Sequence, residues 1–134
     1  MKVLFRSLVV AAAFIYAVWY FFPQFGFPLY GEEEIAAFQY QGHGAFPLFA
    51  SNFALVFPFA WLIAAAGLIV FRPWARQLYF VLAVVAILTG PFYGMSVMLG
   101  VEHTLFSAMS MLDGAIIALA YLSPIAGEFD AAAT

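Results

Sequence analysis

The sequence predicts an all-α integral membrane protein, a bundle of four transmembrane helices in antiparallel up-and-down order with both termini in the cytoplasm. Hydrophobic residues make up 67% of the 134 residues and charged residues 8%, against roughly 45–50% and 25% in soluble domains. Four apolar stretches are each long enough to cross the ~30 Å hydrocarbon core of a bilayer. Lipid is therefore the predicted solvent for most of the chain.

Composition also limits the function. The net charge is −3 with four Lys and Arg residues, too few cations to displace phosphate counterions, so nucleic-acid binding is excluded. The chain has no cysteine and therefore no disulfide, thiolate metal site or CxxC redox pair. A chain of this length predicts a single transmembrane domain over 1–134.

The first predicted span covers about 3–22, with Lys2 and Arg6 at its start. A cleaved signal peptide is the competing interpretation. The far end of the stretch is aromatic and lacks the small residues of a cleavage site, which favours a retained span.

A longer connection, 23–46, follows on the outer side. Within it Gly31 precedes three glutamates, and Ile35 and Phe38 follow at a spacing of three. Carboxylates in a first turn favour the positive end of the helix dipole, and an apolar side can lie on the bilayer interface. This pattern predicts a short amphipathic helix.

The other three spans follow in close succession. The second covers about 47–71, where Pro47 suits a first helical turn and Pro58 predicts a kink in the interior. The third covers about 77–99 and the fourth about 104–122, which ends just before a proline.

The distribution of charge predicts the orientation. The four cations are Lys2, Arg6, Arg72 and Arg76. They fall on one side of a four-span topology, and cations mark the cytoplasmic side. The expected location is the plasma membrane, specifically a bacterial inner membrane. Aromatic residues at the span ends predict interfacial belts; these are Trp19, Tyr20, Phe21, Phe22, Phe71, Trp74 and Tyr79.

Small residues recur every four positions in the last two spans. The two stripes are Ala86, Gly90 and Gly94, and Ser110, Gly114 and Ala118. Small side chains let membrane helices approach closely, and a turn at 101–103 would make these helices neighbours. The stripes predict packing within the chain, with an oligomer contact as the alternative.

Asp113 is the one ionisable carboxylate or base within the apolar run of a span. Folding the hairpin about residue 101 or 102 places it level with Gly90 and Pro91. Proline leaves the carbonyl of Ile87 without its donor, and a protonated Asp113 would supply one. In the functional alternative, Asp113 lines a proton, ion or polar-ligand site, because charges inside membranes usually face cavities or partners. The candidate companions are Ser110, Thr89, Tyr16 and Trp61.

Histidine and glutamate gather in the outer connections. The candidates are His43, His103 and Glu102, with the glutamates at 32–34 nearby. Imidazole and carboxylate together bind divalent metals, and two histidines can hold haem. The alternative interpretation is an acidic, solvated surface, and no cofactor is predicted.

No nucleotide-binding or catalytic motif of recognised spacing occurs in the sequence, so an enzyme is the less favoured class. The leading hypothesis is an accessory, assembly or scaffold subunit that packs with a larger membrane complex or with itself. Transport or proton coupling at Asp113 is the alternative. A metal or redox protein using the outer His and Glu residues is the third.

Overall fold

The computed structural model describes residues 1–38, 47–92 and 96–131, with side chains in the second range described from residue 56 onward. The regular structure in these ranges is entirely helical. The helices are α1 (Lys2–Gly26), α2 (Glu32–Ala37), α3 (Pro47–Ile69), α4 (Pro73–Thr89), α5 (Gly100–Leu122) and α6 (Ala126–Ala131), with 3-10 turns at Phe27–Leu29 and Gly90–Phe92. The short helix predicted after Gly31 is present as α2.

Three helical stretches in the described ranges are long and apolar enough to cross a membrane: Lys2–Leu29, Pro73–Phe92 and Gly100–Leu122. Large apolar side chains on their surfaces are exposed, among them Met111 at 77% and Leu122 at 87%. Such surface is costly in water, at about 25 cal/mol per Å². The length of these helices and their exposed apolar surface indicate a membrane protein.

Helix α1 packs against two of the other long helices. It contacts α5 most extensively and also packs against α3, whereas α4 packs chiefly on α3 and touches α5 over a smaller area. Four of the buried residues of α1 are Phe5, Val9, Ala12 and Tyr16. Their spacing of three and four residues places them on one face of the helix, directed into the bundle.

Close approach at the α3–α4 corner requires a glycine. A Cβ atom built on Gly67 would lie 2.5 Å from the Cβ of Ala75 and 3.0 Å from the ring of Trp74. Real Cβ atoms do not come this close, so alanine at position 67 would force the two helices apart.

The turn after α3 has the hydrogen bonds of a Schellman motif. The N–H of Phe71 donates to the carbonyl of Leu68, and the N–H of Arg72 donates to that of Gly67. The left-handed position, usually glycine, is occupied by Phe71 with φ 56°. Its ring packs against Phe5, with centroids 5.7 Å apart, and this packing offsets the backbone strain.

The C-terminal helix α6 covers the same end of the bundle. Phe129 is fully buried, with its ring centroid 5.9 Å from that of Phe5 and 5.3 Å from that of Phe71. We call these three rings the terminal aromatic cluster. It joins the beginning of α1, the α3–α4 turn and α6.

Ion pairs surround this cluster. Lys2 Nζ lies 2.7 Å from Glu128 Oε2, and Arg76 Nη2 lies 3.0 Å from Asp130 Oδ1. Because Arg72 is in the adjoining turn, the cations of α1 and of the α3–α4 corner share one end of the bundle.

The hairpin between α4 and α5 differs from the prediction. Helix α4 ends at Thr89 rather than near residue 99, because Pro91 has no N–H to continue the ladder. Residues 101–103, predicted as a turn, lie in the first turn of α5. The connection is therefore centred several residues earlier than predicted.

Three aromatic residues assigned to interfacial belts are instead buried in the bundle: Phe22 at 6%, Phe71 at 7% and Tyr79 at 1% exposure. Phe71 and Tyr79 belong to the core of the bundle, whereas the Phe22 ring packs against Phe25 of its own helix. Trp74 at 47% and Phe21 at 56% remain exposed.

Candidate functional site

Asp113 accepts a hydrogen bond from a tyrosine on the neighbouring helix. The hydroxyl of Tyr79 on α4 donates to Oδ1 of Asp113 on α5 across 2.5 Å. Tyr79 is 1% exposed, and Asp113 is half-buried. A hydrogen bond to a carboxyl group in apolar surroundings is stronger than one in water, so the pair links α4 to α5.

Two of the predicted companions, Trp61 and Tyr16, pack in series next to the Tyr79–Asp113 pair. The ring of Trp61 lies 5.2 Å from that of Tyr79 and is stacked on Tyr16 with centroids 4.7 Å apart. The series of Tyr16, Trp61 and Tyr79 therefore runs from α1 through α3 to α4 and ends at Asp113. Stacked and tilted rings at these distances attract one another beyond the burial of their surface.

The other two predicted companions lie apart from it. Thr89 donates its hydroxyl to the carbonyl of Val85 at 2.7 Å, and Ser110 donates to that of Phe106 at 2.9 Å. Both bonds are to the preceding turn of the residue's own helix, as hydroxyl side chains in apolar helices commonly form. Neither residue contributes a polar group to Asp113.

The predicted contact of Asp113 with Ile87 does not form. Ile87 is 75% exposed, and Asp113 pairs with Tyr79, more than two helical turns away along α4. Residue 96 lies midway in sequence between Tyr79 and Asp113. A hairpin centred there, in place of residue 101 or 102, would have identified Tyr79 as the partner.

A second carboxyl group, in the first turn of α5, also accepts hydrogen bonds. Glu102 is 4% exposed, and its Oε2 accepts hydrogen bonds from the Tyr30 hydroxyl at 2.5 Å and from the Leu99 N–H at 2.8 Å. Burial of Tyr30 and its bond to Glu102 raise the pKa of the phenol, so it remains protonated as the donor. Glu102 thus caps α5 and ties it to the segment before α2.

The proposed metal ligands are not brought together in the described ranges. Glu102 points inward, whereas His103 is exposed, and His43 lies outside the described residues. Within those residues, no group of three His, Cys, Asp or Glu side chains could hold a metal ion.

The small-residue stripe of α5 lies on an uncovered face. Ser110, Gly114 and Ala118 are exposed, and a Cβ built on Gly114 or on Gly90 would meet no atom of the described chain within 4 Å. The predicted packing of these glycines within the chain is therefore not formed, because α5 packs chiefly on α1 through its opposite face. Ala86 is half-buried, and Gly94 lies outside the described residues.

Comparison with models of protein families, with curated proteins and with solved structures found no match to this chain.

Proposed function

We propose that this chain is a small accessory, assembly or scaffold subunit that packs in the membrane with a larger complex or with copies of itself. The observation that carries the proposal is the uncovered face of α5 with Ser110, Gly114 and Ala118. Small residues on an open helix face allow another membrane helix to approach closely, and such contacts drive association in lipid.

The pairing of two carboxyl groups on α5 supports the same role. Asp113 is bonded to Tyr79, and Glu102 to Tyr30 and the Leu99 amide. The first bond joins α4 to α5, and the others tie α5 to the segment before α2 and cap its first turn. The face left available for other molecules is apolar, which suits a helical partner better than a polar substrate.

The test enlarges one small side chain on the uncovered face. Gly114→Leu meets open space, so the monomer is expected to fold normally while the partner or oligomer is lost. Chemical crosslinking in membranes and co-purification in mild detergent would report this. Ala66→Leu is the matched control, since Ala66 is an exposed small residue on α3. A wild-type chain that is monomeric with no partner recovered, or equal losses in both variants, would refute the proposal.

A second candidate function is transport or proton coupling at Asp113. One oxygen of its half-buried carboxyl group is bonded to Tyr79, and the other has no hydrogen bond to any side chain or amide of the described ranges. Charged groups within membrane helices often mark ion or proton pathways.

Proton flux in proteoliposomes tests this candidate. Asp113→Asn keeps an oxygen that accepts from Tyr79 but cannot exchange a proton near neutral pH. If Asp113 carries protons, the variant should lose the proton flux of the wild type but keep the wild-type stability. Wild-type flux equal to that of empty liposomes, or an unchanged rate in the variant, would eliminate it.

We further propose a plasma-membrane location, as in a bacterial inner membrane, with both termini in the cytoplasm. Lys2 and Arg76 are paired with residues of α6 at one end of the bundle, and clustered cations favour the cytoplasmic side. Reporter fusions to each terminus should both be active as cytoplasmic reporters. Activity of either as an external reporter would reverse the assignment.

A further inference from the structure

A shallow groove runs along the outward face of α1. It is largely open and is formed by exposed side chains of this one helix, which are Val3, Arg6, Ser7, Val10, Ala11 and Phe14. Its two polar side chains lie together towards the beginning of α1. Val3 precedes them, and the part from Val10 to Phe14 is apolar.

Contacts outside the groove hold the guanidinium of Arg6 in place. Its Nε donates to the carbonyl of Ile69 at 3.0 Å, and its central carbon lies 5.1 Å from the centroid of the Phe71 ring. The two terminal amino groups have no acceptor among the described residues. A cation fixed in this way loses little conformational freedom when it binds an anion.

The spacing of these residues matches the shape of a lipid. Arg6 lies at the end of the bundle shared with the other cations, whereas Phe14 is eight residues further along α1, about 12 Å at the helical rise. A headgroup at the interface and an acyl chain in the hydrocarbon core have the same order of polarity. A small polar ligand would make no contact with the apolar part of the groove.

We propose that this groove binds one anionic phospholipid, whose phosphate accepts hydrogen bonds from Arg6 and Ser7 and whose acyl chain lies along Val10, Ala11 and Phe14. Arginine donors suit phosphate oxygens in number and geometry, and anionic headgroups attract basic groups near the membrane surface. The site is independent of the partner proposed for α5, because it lies on a different helix.

Native mass spectrometry of delipidated protein in a neutral detergent, titrated with phosphatidylglycerol, tests the site. The wild type should form a one-to-one complex and bind phosphatidylcholine at least about tenfold more weakly, since charge-assisted bonds contribute that order of affinity. Arg6→Gln should weaken phosphatidylglycerol binding at least about tenfold. Arg72→Gln removes the same charge from an exposed cation outside the groove and should change it less than about twofold.

A second variant tests the apolar part of the groove. Ala11→Phe fills it without changing charge and, because Ala11 is exposed, should leave the helicity and the unfolding temperature unchanged while weakening phosphatidylglycerol binding. Equal losses of phosphatidylglycerol affinity in Arg6→Gln and Arg72→Gln would show that general surface charge attracts the lipid, and would overturn the proposed site. Equal affinity for the two lipids, wild-type binding by Ala11→Phe, or displacement of the lipid by millimolar inorganic phosphate would also overturn it.

Discussion

The hydrogen bond between Tyr79 and Asp113 joins two helices that otherwise share a small contact area. Tyr79→Phe removes the donor and leaves the carboxyl group unpaired at that oxygen, so we expect a loss of about 1–3 kcal/mol in the free energy of unfolding. Asp113→Asn retains an acceptor and should cost less. Unfolding in mixed detergent micelles measures both.

Tyr121→Phe provides the matched control for the Tyr79 variant. Its hydroxyl donates across the same two helices to the carbonyl of Arg76 at 3.2 Å, but the bond is exposed. Water can replace it, and the expected loss is about 0.5 kcal/mol or less. Equal losses from the two phenylalanine variants would show that burial of the Tyr79–Asp113 bond adds nothing.

Phe71 combines a strained backbone with a packed ring. Both Phe71→Ala and Phe71→Gly remove the ring from the terminal aromatic cluster and should destabilise the protein. The left-handed conformation, at φ 56°, costs alanine roughly 1 kcal/mol more than glycine. Phe71→Gly should therefore be the more stable of the two variants by about that amount in the same unfolding measurement. The reverse order would show that the turn relaxes out of the left-handed conformation.

The packing of α3 against α4 depends on the absence of a side chain at position 67. Gly67→Ala would place a methyl group 2.5 Å from that of Ala75, and overpacking of this kind costs about 1–3 kcal/mol. The matched control is Gly114→Ala, in a helix interior with open space around it. It should be neutral or stabilise by up to about 1 kcal/mol, because alanine favours helix. Thermal unfolding measures the stability of the two variants, and equal shifts in their unfolding temperatures would contradict the prediction.

Helix boundaries explain which parts of the candidate site could be predicted from the sequence. Asp113 was identifiable as an isolated carboxyl group in an apolar stretch, but its partner depended on the register of the α4–α5 hairpin. The apolar run continues past Gly90 and Pro91 without a charged residue, so hydropathy extends the predicted helix to residue 99. The predicted hairpin centre then falls too late, and the predicted partner is the carbonyl of Ile87 instead of Tyr79. The proline was the local signal for the earlier ending.

At the scale of the whole molecule, composition predicts the class but not the arrangement. Residues that face lipid and residues that face other helices are equally apolar, so periodicity does not separate them as it does in a soluble helix. Phe5 and Phe14 illustrate this: both are aromatic residues of α1, yet one is fully buried and the other 68% exposed. The preference of α5 for α1 over α4 was not predictable for the same reason.

The terminal aromatic cluster connects the beginning, the middle and the end of the chain, so it should affect the stability of the whole bundle. Phe129 is fully buried, and Phe129→Ala should cost about 3–5 kcal/mol. The ion pairs around it are partly exposed, with side-chain exposures of 56% and 38% for Lys2 and Glu128. Such pairs contribute about 0–1 kcal/mol, so Glu128→Gln and Asp130→Asn should each have small effects.

Limited proteolysis tests whether ring burial or the ion pairs contribute more to the packing of α6 on the bundle. If ring burial dominates, Phe129→Ala makes the C-terminal segment susceptible to cleavage at low salt, while the wild type remains resistant when salt is raised to 1 M, where the Debye length falls to about 3 Å. If the ion pairs dominate, the wild type becomes susceptible at 1 M salt, and Glu128→Gln with Asp130→Asn reproduces that at low salt. Susceptibility of the wild type at 1 M salt would contradict the prediction. It would show that surface charges, and not the rings of Phe5, Phe71 and Phe129, stabilise this end of the bundle.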